Sequence, residues 1–195
     1  GVEHDGDNLL AEGVFTPGSQ IEDGYPEFEA LKAAVSERCA GLMITNPEDT
    51  GIFNPRIEEF VQVVHDAGGL CAYDQANANG ILGITRAKEA GFDLCHFNLH
   101  KTFSSPHGCG GPGGGASGVT EKLARFLPVP LVEFDGLRYY LDYGRPDSIG
   151  KIRPFYGYAP VVLRAYAWVM SLGADGLREV AEIAVLNNNY LLKKM

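Results

Sequence analysis

Lys101 is the first candidate for chemistry. It stands in "FNLHKTFSSPHGCGGPGGG" (97–115), next to His100 and ahead of a run dominated by glycine. An isolated surface lysine is ordinarily a solvated charge and needs no such setting. A lysine held close to something bulky and charged does, because glycine lets backbone approach closely. Asp74 is the second candidate. It ends the apolar run "LCAY" (70–73), and Lys101 follows the end of the next, "FDLCHFN" (92–98). In an open α/β sheet, ligands sit beyond the carboxyl ends of the strands. Both side chains therefore belong at one crevice. An amine there can condense with an aldehyde, and a carboxylate can keep a ring nitrogen protonated. Those two tasks suit pyridoxal phosphate. Polar groups and glycine amides nearby would receive its phosphate. His100 and Thr102, flanking Lys101, are candidates for phosphate or proton contacts, and His107 is a weaker one. Asn98 and Ala76 complete the candidate cofactor-binding set. The bland alternatives stand beside this reading. A strand-end Asp is commonly a cap or turn residue, and a glycine run is commonly a flexible loop.

Other chemistries fit less well. No Gly-Lys-Ser/Thr ends the glycine run, which disfavours a nucleotide P-loop. His96 and His100 are four apart, but a zinc pair at that spacing needs a helix, and this segment reads as strand then turn, so no metal is expected. His65 reads as a partly buried surface histidine near a helix end, and Arg153 as a surface salt-bridge residue. The four cysteines show no C-x-x-C spacing and read as reduced thiols, with Cys109 the best placed for redox sensing.

The elements that must position Lys101 and Asp74 alternate between helices and short apolar strands, which indicates an α/β sheet. "PEFEALKAAV" puts Phe28, Leu31 and Val35 at helical spacing. "AGLMIT" (40–45) reads as a strand buried on both faces. "NPRIEEFVQVVHDAGG" is the clearest helix, with Asn54 as cap, Pro55 in the first turn and Gly68 as the stop. Residues 85–90 read as a short helix ended by Gly91. Beyond the glycines, "GASGVT" reads as a returning strand and "EKLARFL" as a short helix. "LVEFDGLRYYLDY" reads as a hairpin turning at Asp135-Gly136. Two long helices follow, separated by Gly173-Ala174, the second capped by Asp175. The expected organisation is a partial α/β cofactor-binding large domain over 1–156, then helices over 157–195 leading to a small C-terminal domain.

The chain has 195 residues, 45% hydrophobic and 21% charged, enough for one sizeable core. Its net charge of −9 and pI near 5.0 argue against nucleic acid or an anionic membrane as the main partner. No apolar run approaches the roughly 20 residues of a membrane span. There is no initiating Met and no secretory pattern, and the sequence closes inside a helical pattern. An internal piece of a longer polypeptide is the expectation.

"LMITNP" (42–47), "AYDQANANGILG" (72–83), "FNLHKTFSSPHGCGGPGG" (97–114) and "RPFYGYAPVVLRAYAWVMSLGADGLREVAEIAVLNNNYL" (153–191) resemble the glycine decarboxylase P-protein of the glycine cleavage system, and within it the catalytic half, or subunit 2. The resemblance runs from about Phe28 to Met195. It implies a fold-type I, aminotransferase-like large domain. It also implies Lys101 as the lysine that binds the cofactor and Asp74 as the ring-nitrogen partner. Three departures stand out: Gln75 replaces a glycine, Cys109 interrupts an all-glycine run, and "NPEDTGIF" replaces a more usual Asn-Thr-Leu-Gly form. In that family the ring that stacks on the cofactor, and much of the phosphate cup, come from sequence before the counterpart of Gly1.

The activity implied is decarboxylation of glycine, with the aminomethyl group passed to the lipoyl arm of H-protein. The implied partners are lipoylated H-protein and P-protein subunit 1 or the N-terminal half, in a homo- or hetero-oligomer. The implied location is cytoplasmic in a bacterial-type cell, or the mitochondrial matrix in a eukaryote. Two alternatives remain open. One is a non-catalytic interaction module, which Lys101 and Asp74 argue against. The other is a different fold-type I enzyme such as a cysteine desulfurase, which would need a mobile reactive cysteine.

Overall fold

The computed structural model describes residues 24, 26–107, 113–154 and 157–195. Cys109 and the middle of the glycine run lie outside them. The chain divides into two units, Gly1–Gln75 with Arg86–Cys95, and Ala76–Thr85 with His96–Met195.

The first unit holds α1 (Phe28–Ala34), β1 (Gly41–Thr45), α2 (Ile57–Asp66), β2 (Leu70–Asp74) and the opening of β3 (Leu94–Asn98). Strands β1 and β2 are parallel, with Leu42 against Cys71 and Ile44 against Tyr73. Helix α2 packs on both, and α1 packs on α2, where the Phe28 and Phe60 rings lie 5.2 Å apart. Ile57, Phe60, Val61 and Val64 of α2 are buried, as their spacing requires. The reading of β1 as buried on both faces fails. Leu42 and Ile44 are buried, but Met43 is 75% exposed. The described helices cover one face of this pair, so burial alternates with the period of the strand.

Helix α2 also starts later than expected, at Ile57 rather than Pro55. Asn54 acts just ahead of it. Its side-chain oxygen accepts from Arg56 N at 2.9 Å, while its own backbone N–H and carbonyl bond the side chain of buried Asn46. Those bonds close the 46–54 loop that returns the chain from β1 to α2. The short helix expected over 85–90 is a series of turns. Its bonds include Glu89 N to Arg86 O and Gly91 N to Lys88 O, three residues apart, and Gly91, with φ 86°, ends it.

The second unit holds the rest of β3, β4 (Gly115–Val119), α3 (Glu121–Ala124), β5 (Leu131–Phe134), β6 (Tyr139–Asp142) and α4 (Ala159–Lys194). β4 lies beside β3. β5 and β6 form the expected antiparallel hairpin. Asp135 Oδ1 accepts from Leu137 N and Arg138 N, both at 2.9 Å, and Gly136 takes φ 97°. α4 is a 36-residue run broken at Gly173, where φ is 66° and ψ −175°. The expected pause between two helices is therefore real. Among the described residues, no helix is long and apolar enough to cross a membrane.

Candidate active site

Strand β3 delivers the chain to Lys101. Its alternation puts His96 and Asn98 on one side of the strand. After Asn98 the chain turns, with Lys101 N bonding Asn98 O at 3.3 Å and Ser105 N bonding Leu99 O at 3.2 Å. Ser104 has a φ of 62°, in the left-handed region that a non-glycine residue enters at a cost. This tight turn leaves Lys101 exposed. Thr102 behind it is buried, 7% exposed.

The segment that follows Asp74 is tied to both sides of Lys101. Asn98 N donates to Ala76 O at 3.3 Å, ahead of the lysine. Ala78 N donates to Thr102 Oγ1 at 2.9 Å, just after it. Ala76, Asn98 and Thr102, chosen from sequence as cofactor contacts, are thus brought together as the frame around Lys101. Asp74 ends β2 in the first unit, in register with Thr45, and stands two residues before Ala76 in the chain. Gln75 between them is buried, 3% exposed, and its Oε1 finds no hydrogen-bond partner.

The end of the glycine run is packed. A Cβ at Gly113 would meet His100 Cε1 at 3.3 Å. One at Gly114 would overlap the Tyr158 ring, with Cζ at 2.7 Å. One at Gly115 would meet Phe97 O at 2.9 Å and His96 Nδ1 at 3.0 Å. Each of these glycines therefore seats one ring. Gly114 also accepts from Leu99 N at 2.8 Å and donates to His100 Nδ1 at 3.4 Å. Close approach, not looseness, explains the glycines at 113–115. The His107 ring meets His100 edge-on at 4.7 Å between centroids.

The start of α4 grips the same turn. Ser105 Oγ donates to Val161 O at 3.0 Å, and the rings of Phe103 and Trp168 meet edge-on at 5.9 Å. Tyr158, at the head of the helix, places its hydroxyl in a buried position with no hydrogen-bond partner among the described residues. Sequence reasoning missed Tyr158. Nothing in its local pattern marks it, and its role comes from a glycine far away along the chain. It also missed the pairing of His65 with Asp93. Asp93, 3% exposed, lies 2.8 Å from His65 Nε2 and accepts from Cys71 N at 2.8 Å. His65, Cys71 and Asp93 are of metal-ligating types and lie close together. The Asp93 oxygen is already engaged by both neighbours, so the group ties α2 to the starts of β2 and β3. Arg153 is exposed, and none of the described ion pairs includes it.

Comparison with known proteins adds the following. No protein-family model matches the chain. It is 53% identical over 174 residues to a protein of Caldanaerobacter subterraneus subsp. tengcongensis named "probable glycine dehydrogenase (decarboxylating) subunit 2", covering 89% of this chain and 36% of the relative. Proteins of the same name from Pyrococcus abyssi (57% over 176 residues, 35% of the relative) and Thermoplasma acidophilum (52% over 173 residues, 37%) match over 89% of this chain as well. The chain thus spans about a third of the length of these relatives. Among solved structures, the apo cysteine desulfurase of Thermococcus onnurineus matches with a TM-score of 0.54 at 15% identity, over 80% of this chain and 38% of that one. The sphingosine-1-phosphate lyase of Burkholderia pseudomallei matches with a TM-score of 0.54 at 14% identity, over 82% and 36%. At such identities the likeness shows the fold, the α/β fold of the fold-type I class that the resemblance implied.

Proposed function

We propose that the chain belongs with the glycine dehydrogenase (decarboxylating) subunit 2 proteins it resembles at 53–57% identity, and that within the complete protein it contributes the lysine-bearing part of a site that decarboxylates glycine with pyridoxal phosphate. The observation that carries this reading is the double tie between the segment after Asp74 and the two sides of Lys101. It builds one rigid frame around an exposed amine. No described hydrogen bond or ion pair takes that amine, which leaves it available for a covalent bond.

Three features fit the cofactor. Lys101 is exposed at the head of a constrained turn. Asp74 closes strand β2, two residues ahead of Ala76 in the chain. The Tyr158 hydroxyl is buried and unpartnered among the described residues, which costs about 1–3 kcal/mol unless a ligand brings an acceptor. Phosphate oxygens are such acceptors. Once bound, pyridoxal phosphate supplies an electron sink for the bond between the glycine α-carbon and its carboxylate. Lys101 would hold the cofactor through its amine, and Asp74 would hold a proton on the ring nitrogen. Thr102 and Asn98 hold the turn against Ala76 and Ala78, which would keep that amine in one position. Lipoylated H-protein would be the acceptor of the aminomethyl group, its lipoyl disulfide taking up the electrons. Subunit 1 supplies the other half of the assembly. The relatives above come from bacteria and archaea, and we place the protein in the cytoplasm.

Borohydride reduction in the presence of pyridoxal phosphate, followed by peptide mapping, is expected to label Lys101. Label on another lysine overturns the assignment. In the complete protein, release of labelled carbon dioxide from glycine should depend on lipoylated H-protein and vanish in Lys101→Ala. Trapping without release would leave a pyridoxal phosphate protein of another reaction. No trapping and no release would leave an interaction module.

A further inference from the structure

His96, Asn98 and His100 form a row whose hydrogen-bonding atoms can be assigned by counting protons. The amide of Asn98 stands between the two imidazoles, with Oδ1 against His96 Nε2 and Nδ2 3.2 Å from His100 Nε2. The other nitrogen of His100, Nδ1, receives the backbone N–H of Gly114 at 3.4 Å. A backbone N–H is always a donor, so His100 Nδ1 is an acceptor and carries no proton. That excludes both the imidazolium and the tautomer protonated at Nδ1. The ring is neutral with its proton on Nε2, and Nε2–H needs an acceptor. The Asn98 group facing it must then be the carbonyl oxygen. An amide's oxygen and nitrogen exchange places by a half-turn that leaves its shape unchanged. With the oxygen turned to His100, the NH₂ of Asn98 faces His96 Nε2, which is in turn an acceptor. His96 carries its proton on Nδ1.

We propose that Asn98 locks His96 and His100 into opposite neutral tautomers, and that His100 is a positioning residue for Lys101 rather than a proton carrier. Both ring nitrogens of His100 are engaged within this unit, one toward β3 and one toward Gly114. The residue just before Lys101 is thereby fixed at two points. Glycine at 113 and 115 gives these rings their room. The tautomer assignment stands on geometry alone, and its bearing on the cofactor rests on the function proposed above.

The test is long-range proton–nitrogen NMR on the complete protein labelled with ¹⁵N-histidine, without added cofactor, assigned with His96→Gln and His100→Gln. At neutral pH, His100 should show a pyrrole-type Nε2 and a pyridine-type Nδ1, and His96 the reverse. A proton on His100 Nδ1, as cation or tautomer, overturns the proposal. Asn98→Asp leaves only acceptors between the rings, so His96 should then carry a proton on Nε2 while His100 keeps its own there. A His96 Nε2 that stays pyridine-type in that variant means that residue 98 does not touch the ring, and this too overturns the proposal. Borohydride trapping at Lys101 should persist in His100→Gln, whose side chain still forms hydrogen bonds but carries no exchangeable ring proton. Loss of trapping there means that His100 moves a proton at the site, and the positioning role is lost. The NMR measurements need no cofactor, so failure of the proposed function leaves them decisive.

Discussion

Alanine at each of Gly113, Gly114 and Gly115 should give three distinct outcomes, because the three positions press on different things. At Gly113 the new methyl meets only His100 Cε1 at 3.3 Å, and a ring edge can give by a few tenths of an ångström. Replacing glycine also removes freedom from the unfolded chain, a gain of about 0.4–1 kcal/mol. The net effect should lie within about 1 kcal/mol of zero. At Gly114 the methyl runs into the hydroxyl and ring of Tyr158, with Cζ at 2.7 Å. Overpacking of this kind costs about 1–3 kcal/mol. After the unfolded-state gain, a loss of about 1–2 kcal/mol remains, or about 2–8 °C in melting temperature for a chain of this size. The obstacle is one side chain, so Tyr158→Ala should relieve it. The double variant should therefore be more stable than the sum of the two single losses predicts, by more than the roughly 0.5 kcal/mol scatter of independent sites. At Gly115 the methyl meets a backbone oxygen, Phe97 O at 2.9 Å, besides the His96 ring. Truncating His96 should rescue that variant only in part. Urea or thermal unfolding of the single and double variants measures all of these. Additivity of Gly114→Ala and Tyr158→Ala, or equal losses at the three glycines, would refute the view that each glycine seats one ring.

Three further outcomes are expected. Tyr158→Phe should leave unliganded stability unchanged or slightly raised, since it removes a buried hydroxyl with no partner among the described residues; in the complete protein it should weaken cofactor retention, measured by dialysis and absorbance. Asp93→Ala should cost about 1–3 kcal/mol in chemical unfolding, because it strands the buried N–H of Cys71 and removes the partner of His65. Burial, followed by the neighbouring charge of Asp49, holds the Glu48 carboxyl above its ordinary value of 4.5. The folded state then binds that proton more tightly than the unfolded chain does, so stability is greatest below the ordinary value and falls as pH rises through the raised one. Glu48→Gln should abolish that fall. Its stability relative to the parent should grow as pH rises above the ordinary value of 4.5 and then level off, and a difference that stays flat with pH would contradict the assignment.

Where local pattern decides the structure, the sequence was readable. The stripe Ile57, Phe60, Val61, Val64 specified α2 and its buried face, and Asp135-Gly136 specified the hairpin with its turn. The pause at Gly173 was visible for the same reason. Two expectations failed because burial is set by what lies opposite a strand, and helix formation by which backbone bonds close. Met43 sits in a continuous apolar run and yet is exposed. The 85–90 segment has helical composition, but bonds three residues apart hold it in turns and Gly91 ends it. The strand ends singled out Ala76, Asn98 and Thr102 beside Lys101, and these the structure ties to one another. The hydroxyl of Tyr158 and the pairing of His65 with Asp93 were not, because each joins residues far apart in the chain with no shared period to reveal them.

The break in α4 constrains the sequence in an unexpected way. Before Gly173 the helix holds the lysine turn through Tyr158, Val161 and Trp168; after it, Arg178 and Val185 lie against Gly83 and Gly80. A straight helix of 36 residues would be a rod about 54 Å long, with no means of redirecting its second half. At the joint itself a Cβ would meet nothing within 4 Å. Space is plentiful there, yet φ 66° with ψ −175° belongs to glycine almost alone among the natural residues. Reflected through a mirror, the same angles are ordinary extended backbone. The backbone angles at that joint would suit a D-alanine inserted by chemical ligation and would strain an L-alanine of identical size. What fixes the identity of residue 173 is handedness.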